Sequence, residues 1–194
     1  MRKIASKHRE ERKRKRNQVI VGCVLIFVMF FSVISYGFAN FTNSDGGTSE
    51  NQNHITYNGF IFTEQNNFWI LNFNGRNFIF SHNPEGVPKI SSQVNLLSSY
   101  NEKPLFIHSE SPIAESEIST NLFGLVERIQ NACPENEDCE EDIPTKTCED
   151  NFIIIKEGSQ RIKQENNCVF IEGKSEDLIK LTDEFLFKLL GVES

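Results

Sequence analysis

Cys133, Cys139, Cys148 and Cys168 are the residues whose type and spacing point most directly to chemistry, because thiols form disulfides, ligate zinc or exchange electrons. The gaps between them are five, eight and nineteen residues. Zinc knuckles generally contain a Cys-x2–4-Cys pair and thiol oxidoreductases a Cys-x-x-Cys pair, and neither spacing occurs. Disulfides are therefore expected. Four cysteines allow three pairings and spacing alone does not choose among them; pairing of neighbours, Cys133 with Cys139 and Cys148 with Cys168, is the expectation carried forward. Cys23, the fifth, lies in an apolar run and reads as a small apolar residue.

Acid–base chemistry has fewer candidates. His54, His82 and His108 are the histidines beyond the first forty residues, and only His108-Ser109-Glu110 follows an apolar strand-like run that could place a nucleophile beside a base. The stretch 134–150 is crowded with Glu135, Glu137, Asp138, Glu140, Glu141, Asp142, Glu149 and Asp150, which reads as a solvated loop. It lacks the Asp-x-Asp-x-Asp-Gly spacing of an EF-hand, leaving only a weak calcium site at Glu137, Asp138, Glu141 or Asp142 as an alternative. Gly173-Lys174-Ser175 stands between a strand and a helix, where a phosphate loop would stand. The first glycine of that motif is replaced by Cys168, however, and the intervening residues read as strand, so no nucleotide is expected. No cofactor pattern is present, and a non-enzymatic role is preferred.

The elements that would position these residues follow from periodicity. Three apolar-aromatic runs, Tyr57 to Phe62, Phe68 to Phe73 and Phe78 to Ser81, are separated by Glu64-Gln65-Asn66-Asn67 and by the hairpin signal Asn74-Gly75. They predict a three-stranded antiparallel meander with apolar residues on both faces, whose edges could accept another chain. A short helix is expected around Val94 to Tyr100 and a strand over Leu105 to His108. Ser111-Pro112 then starts a helix whose Ile118, Leu122, Leu125, Val126 and Ile129 carry the pattern to Cys133-Pro134. Strands are expected at Phe152 to Lys156 and Cys168 to Glu172, with a weaker one at Ile162. Ser175 is expected to cap a final amphipathic helix, with Leu178, Leu181, Phe185 and Leu189 on one stripe and Gly191 as its stop. The fold class is α+β, with helices packed on a largely antiparallel sheet.

Charge and hydropathy organise the whole chain. Residues 19–39 contain 21 residues without a charge, long enough as a helix to cross a bilayer core of about 30 Å. Residues 1–18 hold nine basic residues, Arg12, Lys13, Arg14, Lys15 and Arg16 among them, against Glu10 and Glu11. The remainder is strongly acidic, bringing the chain to −7 overall. Basic residues beside a first apolar segment hold that end in the cytoplasm, so the expectation is a single-pass cell-membrane protein with its C-terminal domain outside. That placement would put the tail against lipid headgroups, with no nucleic-acid partner, and the four cysteines where disulfides persist. The organisation is a basic tail over 1–18, a signal anchor over 19–39, a polar linker over 40–54 and an extracytoplasmic domain over 55–194. Gly37-Phe38-Ala39 also fits a signal peptide cleaved after Ala39.

With a basic tail, an apolar segment, outer cysteines and the strand Asn167-Cys168-Val169-Phe170-Ile171-Glu172-Gly173 before a helix, the chain resembles uncharacterised small single-pass membrane proteins of small-genome archaea. The resemblance implies topology and disulfide bonding, and no activity. The resulting expectation is a membrane-anchored extracytoplasmic binding or assembly module for another envelope protein or surface ligand. A membrane-anchored hydrolase using His108 or the acidic cluster, and an accessory subunit of a membrane complex, are the alternatives.

Overall fold

The computed structural model describes residues 53–139 and 142–193. The basic tail, the 19–39 segment and the linker up to residue 52 lie outside them. Among the described residues no helix is long and apolar enough to cross a membrane.

The chain opens with four strands rather than three: β1 (His54–Tyr57), β2 (Phe60–Gln65), β3 (Phe68–Phe73) and β4 (Arg76–Phe80). The run expected as one strand from Tyr57 to Phe62 is broken by Asn58-Gly59, where φ is +49° and +85°. Two consecutive left-handed residues make the tight turn whose twist matches a hairpin, and Asn and Gly are the residues that tolerate it. Asn66-Asn67 and Asn74-Gly75 repeat that geometry, so a two-residue turn recurs every eight residues. All three pairings are antiparallel, in the order β1-β2-β3-β4. His54, assigned to the linker by composition, pairs with Thr63 at the free edge of β1.

A second sheet is built from β5 (Pro104–Ser109), β6 (Arg128–Asn131), β9 (Phe152–Glu157), β10 (Arg161–Glu165) and β11 (Cys168–Gly173). Its order is β10-β11-β9-β5-β6, parallel throughout except for the β10–β11 hairpin. The α+β class therefore holds, with a wholly antiparallel sheet joined by a mixed one. The remaining strands, β7 (Cys133–Pro134) and β8 (Thr145–Lys146), form a two-residue ladder in the cysteine-bearing loop.

Two helices complete the unit. The first, α1 (Pro112–Leu122), starts as expected: Ser111 Oγ accepts from Ala114 N at 3.4 Å and Pro112 takes the first position. It ends about ten residues before Cys133. Gly124 adopts φ +76° just past the last turn, and the chain then extends into β6, carrying Ile129 with it. The β5-α1-β6 crossover is what lets β5 and β6 run parallel. The expected helix around Val94 to Tyr100 is a single 3-10 turn, Leu97–Ser99.

The second helix, α2 (Leu178–Leu189), is preceded by a 3-10 turn over Ser175–Asp177, and Ser175 makes no capping bond to it. Gly173 ends β11 and holds no loop; a Cβ there would overlap Leu181 of α2, so the glycine serves close packing. Its stop at Gly191, φ +72°, is as expected. The amphipathic pattern understates its burial, since Leu178 and all of Leu181 through Leu189 are buried, including Thr182, Asp183, Glu184 and Lys188. The cause is that α2 is packed from both sides: Phe187 meets Phe62 and Phe80 of the first sheet at ring separations of 5.6 and 4.6 Å, while Leu181 lies on β11 of the second. One core thus joins Phe62, Leu71, Phe78 and Phe80 to Leu105, Ile107, Ile153, Ile155, Val169 and Ile171 across the helices. The opposite face of the second sheet, with Phe106, Phe152, Ile154 and Cys168, is covered by the disulfide loop.

The free edge of β4 is completed by α1. Asn121, buried and one turn along from Glu117, accepts from Ile79 N at 2.8 Å and donates to Ile79 O at 2.7 Å, while Glu117 Oε1 accepts from Ser81 N at 2.7 Å. Two residues along a strand rise about 6.7 Å and one helical turn about 5.4 Å, so side chains at i and i+4 can serve successive backbone groups of one edge. Replacing Asn121 by Leu would leave both polar groups of Ile79 without these partners, at about 1–3 kcal/mol for each buried unsatisfied group. Urea unfolding of N121L is expected to show a loss of about 3 kcal/mol, against under about 0.5 kcal/mol for Asn72→Ala, whose partner Asn77 is at an exposed site.

Candidate functional site

Two places bring ionisable groups together beside a cavity. The first lies at the carboxyl ends of the parallel strands. The chain leaves β5 toward β6 on one side, whereas β9 leads on to β10 and β11 on the other, so the adjacent ends of β5 and β9 form a switch point of the kind where ligands bind in parallel sheets. A cavity of about 680 Å³ opens beside it, at the ends of β5 and β6, lined by His108 and Glu110 of the β5 end, Asn131 of the β6 end, Glu115 of α1, and Glu137 and Asp138 of the loop.

Alternation places His108 and Lys156 on the outer face of the sheet, and the Cys133–Cys139 ring brings Glu137 onto both of them. Glu137 Oε2 lies 3.0 Å from His108 Nε2, and its Oε1 lies 3.1 Å from Lys156 Nζ. Glu110 turns away from the histidine to accept from Glu157 N at 2.6 Å. Ser109 Oγ donates to Ser111 O at 2.9 Å. The tripeptide thus supplies a histidine paired with a carboxylate, not a nucleophile beside a base.

Both disulfides take the expected pairing, Cys133 with Cys139 and Cys148 with Cys168, at Cα separations of 5.9 and 4.8 Å. In the chain-entropy model the larger loop contributes about 3 kcal/mol and the smaller about 2 kcal/mol. The first fixes Glu137 over the sheet and the second ties the loop to β11. Glu141 and the topology residues Arg12, Lys13, Arg14, Lys15 and Arg16 lie outside the described residues. Among the described residues no three His, Cys, Asp or Glu side chains converge as metal ligands.

The second place was not legible as a site. Beyond β4, Ser81 and His82 meet a carboxyl from each helix: Glu117 Oε2 accepts from Ser81 Oγ at 2.7 Å, and Asp183 Oδ2 lies 2.9 Å from both His82 N and His82 Nδ1. The two carboxyls lie close enough to shift each other's titration. Glu117 is 9% exposed and Asp183 fully enclosed. Burial, then the bond to Asp183 and its charge, push Glu117 up to about 8, against the Ser81 donors. Burial pushes Asp183 up to about 7, opposed by its hydrogen bonds from Glu117 and the backbone. His82 is lowered, by burial first and then by Lys180, with Glu117 opposing, so it is neutral near pH 7. Both carboxyls therefore keep their protons well above the usual carboxylate range, Glu117 more strongly than Asp183.

Glu117 also reaches a groove. A cavity of about 540 Å³ between α1 and the outer side of the meander is walled by Phe68, Ile79, Pro112 and Ile113, with Ser81, Ser116, Thr120 and Glu117 as its polar groups. The available sequence signal was a polar residue in phase with the core: Glu117 and Asn121 fall on the stripe of Ala114, Ile118 and Leu122. A third buried carboxyl, Glu184, is raised to about 7 by burial and by Glu193, with Lys188 at 3.5 Å opposing.

Compared with protein-family models, with curated proteins and with solved structures, the chain finds no match.

The raised carboxyls fix the direction of a pH dependence. Unfolded, these groups release their protons near pH 4; folded, they keep them to about 7 or 8. Between those values the native state binds more protons, so stability falls as pH rises. The lowered His82 acts oppositely, since below its unfolded value near 6.5 the unfolded chain takes the extra proton. Urea midpoints are expected to be highest near pH 4 to 5, to fall up to about pH 8 with a slope approaching 1.4 kcal/mol per pH unit for each proton that the native state holds in excess, and to level off above that. Glu117→Gln should flatten that slope; an unchanged profile in E117Q would place the titration elsewhere.

Proposed function

We propose that this chain is a membrane-tethered extracytoplasmic binding or assembly module that engages another envelope protein through the outer face of its meander. The observation that carries the reading is the character of that face. Strand register puts Ile61, Phe68, Ile70 and Ile79 on it among His54, Thr56, Thr63, Gln65, Asn72 and Asn77, and the two residues of β1 to β4 with full charges, Glu64 and Arg76, on the other. Ile61 and Phe68 are 62% and 48% exposed, and Ile113 of α1, at 69%, continues the apolar surface across the groove. A face without Asp, Glu, Lys or Arg that exposes large apolar side chains stands out on so acidic a chain, and exposed apolar patches mark contact sites. The inner face already supplies the core, so packing does not account for the apolar residues outside.

Support for the tether is in the sequence: an uncharged 21-residue segment preceded by nine basic residues. Two disulfides suit an oxidising exterior. A tether raises the effective concentration of module and partner without adding contacts. Crosslinking of the full chain in intact membranes is expected to give one discrete adduct. The double variant Ile61→Asp, Phe68→Asp should reduce that adduct at least tenfold while leaving urea stability within about 0.5 kcal/mol, as exposed substitutions do. An unaltered adduct in the double variant would exclude the meander face.

A membrane-anchored hydrolase is the second reading, favoured by one observation: His108 and Glu137 share the cavity at the carboxyl ends of β5 and β6. A histidine held by a carboxylate can act as a general base on water. On that reading His108→Gln should lower turnover of chromogenic esters or peptides by roughly 10²–10⁴-fold. Wild-type turnover no greater than that of H108Q removes it.

A further inference from the structure

We propose that the open edge of β1 pairs antiparallel with β1 of a second copy of this chain, joining two four-stranded meanders into one continuous sheet. The inference goes beyond the reading of the outer face and rests on that reading only for the tether.

Backbone geometry identifies the groups on offer. Glu64 N donates to Asn53 O at 2.8 Å, so Asn53 and Glu64 are a hydrogen-bonded pair. Such pairs alternate along an antiparallel ladder, which makes Ile55–Phe62 and Tyr57–Phe60 the next two. The N–H and C=O of His54 and Thr56 therefore point away from β2, and no group among the described residues bonds to them. Both residues are exposed. A donor and an acceptor on either side of Ile55 make a self-complementary pattern. Around a two-fold axis at Ile55, His54 faces Thr56 of the second copy and Thr56 faces its His54, each pair closing two backbone hydrogen bonds. The two Ile55 side chains then meet as the close, non-hydrogen-bonded pair between them.

The other edges of the two larger sheets are guarded. Asn121 and Glu117 seal β4. The strand β10 carries Arg161, Lys163 and Glu165, and β6 carries Arg128 beside Glu127. Charges and covering elements are what keep strand edges from pairing with another chain. The strand β1 has neither: His54–Tyr57 contains no Asp, Glu, Lys, Arg or Pro, and Asn51-Gln52-Asn53 precede it. Two strongly acidic copies repel each other in general, whereas this edge brings no acidic side chain to the contact.

The tether selects the second copy. Two chains anchored through residues 19–39 share one membrane, and the polar 40–52 segment leads directly into β1, so like edge is held near like edge. So few hydrogen bonds give little association from dilute solution, since isolated strand pairs are marginal. Confinement supplies the difference. An axis perpendicular to the sheet treats both tethers alike and keeps both outer faces on one side. Ile61, Phe68, Ile70 and Ile79 of the two copies then form a single surface for the envelope partner.

The test is disulfide trapping of the full chain in intact membranes, with Cys23→Ala so that this thiol takes no part. A non-hydrogen-bonded antiparallel pair has Cα atoms about 4.5 Å apart, within disulfide reach. Ile55→Cys, oxidised with copper phenanthroline, is expected to give a species of twice the chain's mass. It should be at least about tenfold more abundant than from Thr63→Cys, whose copies lie three strand spacings, roughly 14 Å, apart. Thr56→Pro removes one outward N–H and no bond to β2, and Thr56→Lys places a charge on the edge; each, added to I55C, should cut the trapped dimer about tenfold. Because I55C trims a half-buried side chain, the state is also counted without it: photobleaching of singly labelled chains in membranes should show two steps for wild type and one for T56K. No excess of I55C dimer over T63C, a dimer indifferent to both Thr56 variants, or single-step bleaching of wild type overturns the proposal. So does an I55C adduct of any other mass, which would give the edge to a foreign strand. A failed trap beside a retained envelope adduct rejects the dimer and keeps the outer-face reading; a trapped dimer without that adduct does the reverse.

Discussion

The free edge of β4 is the constraint on which the rest of the structure depends. A strand edge presents backbone groups that must find partners or attract another chain. Here the place of a fifth strand is taken by a helix, with Asn121 and Glu117 reaching the backbone of Ile79 and Ser81. Arg76 adds a bond from the same strand to the carbonyls of Asn121 and Phe123 at the helix end. Because α1 is also the crossover between β5 and β6, that edge fixes the position of one sheet against the other. The helix α2 then fills the space between them, which is why its polar residues are enclosed.

That solution has an electrostatic consequence. A helix that covers an edge with Asn alone would carry no charge into the core, but the second contact is made by Glu117, and α2 brings Asp183 against it. Two ionised carboxyls in a poorly solvated site repel strongly, whereas carboxyls that keep their protons do not. The His82 backbone and ring complete the coordination of Asp183 without supplying a cation. The disulfide loop meets its own charge differently, since Glu137 sits between His108 and Lys156. The two acidic places therefore differ in kind: one has a cation, Lys156, on its carboxylate, and the other has no Lys or Arg within ion-pair distance among the described residues.

How much of this could be read from the sequence depended on whether the signal was local. The antiparallel strands, the Ser111-Pro112 start and the stop at Gly191 rest on residues close in the chain, and these were legible; the cysteine pairing was one of three that the spacing allowed. Asn58-Gly59 was equally local, but its flanking residues Tyr57 and Phe60 are both aromatic, and an unbroken apolar run concealed the turn. The end of α1 was misplaced because Leu125, Val126 and Ile129 kept a helical spacing while Gly124 had already turned the chain toward β6. The parallel sheet order could not be read at all, since it depends on which strands meet. The Glu117–Asp183 pair belongs to the same class: the two residues are far apart in the chain and on different helices. Only the phase of Glu117 and Asn121 with the apolar stripe hinted that polar side chains entered the core.

The meander's two faces show why an open outer face and the buried pair occur side by side. An eight-residue repeat of strand and turn produces a sheet whose inner positions are taken by large aromatics, and those need a thick layer beneath, here α2 with Phe187. The outer positions have no such layer among the described residues, yet they remain apolar at Ile61, Phe68, Ile70 and Ile79. Where that outer face ends, at β4, the covering helix α1 rises beside it and creates a groove at the step. The residue that seals the edge from below, Glu117, is then necessarily at the floor of the step. Apolar walls and a carboxyl at the floor thus arise from one geometric fact, a helix serving as the last strand of a sheet whose outer face is left open.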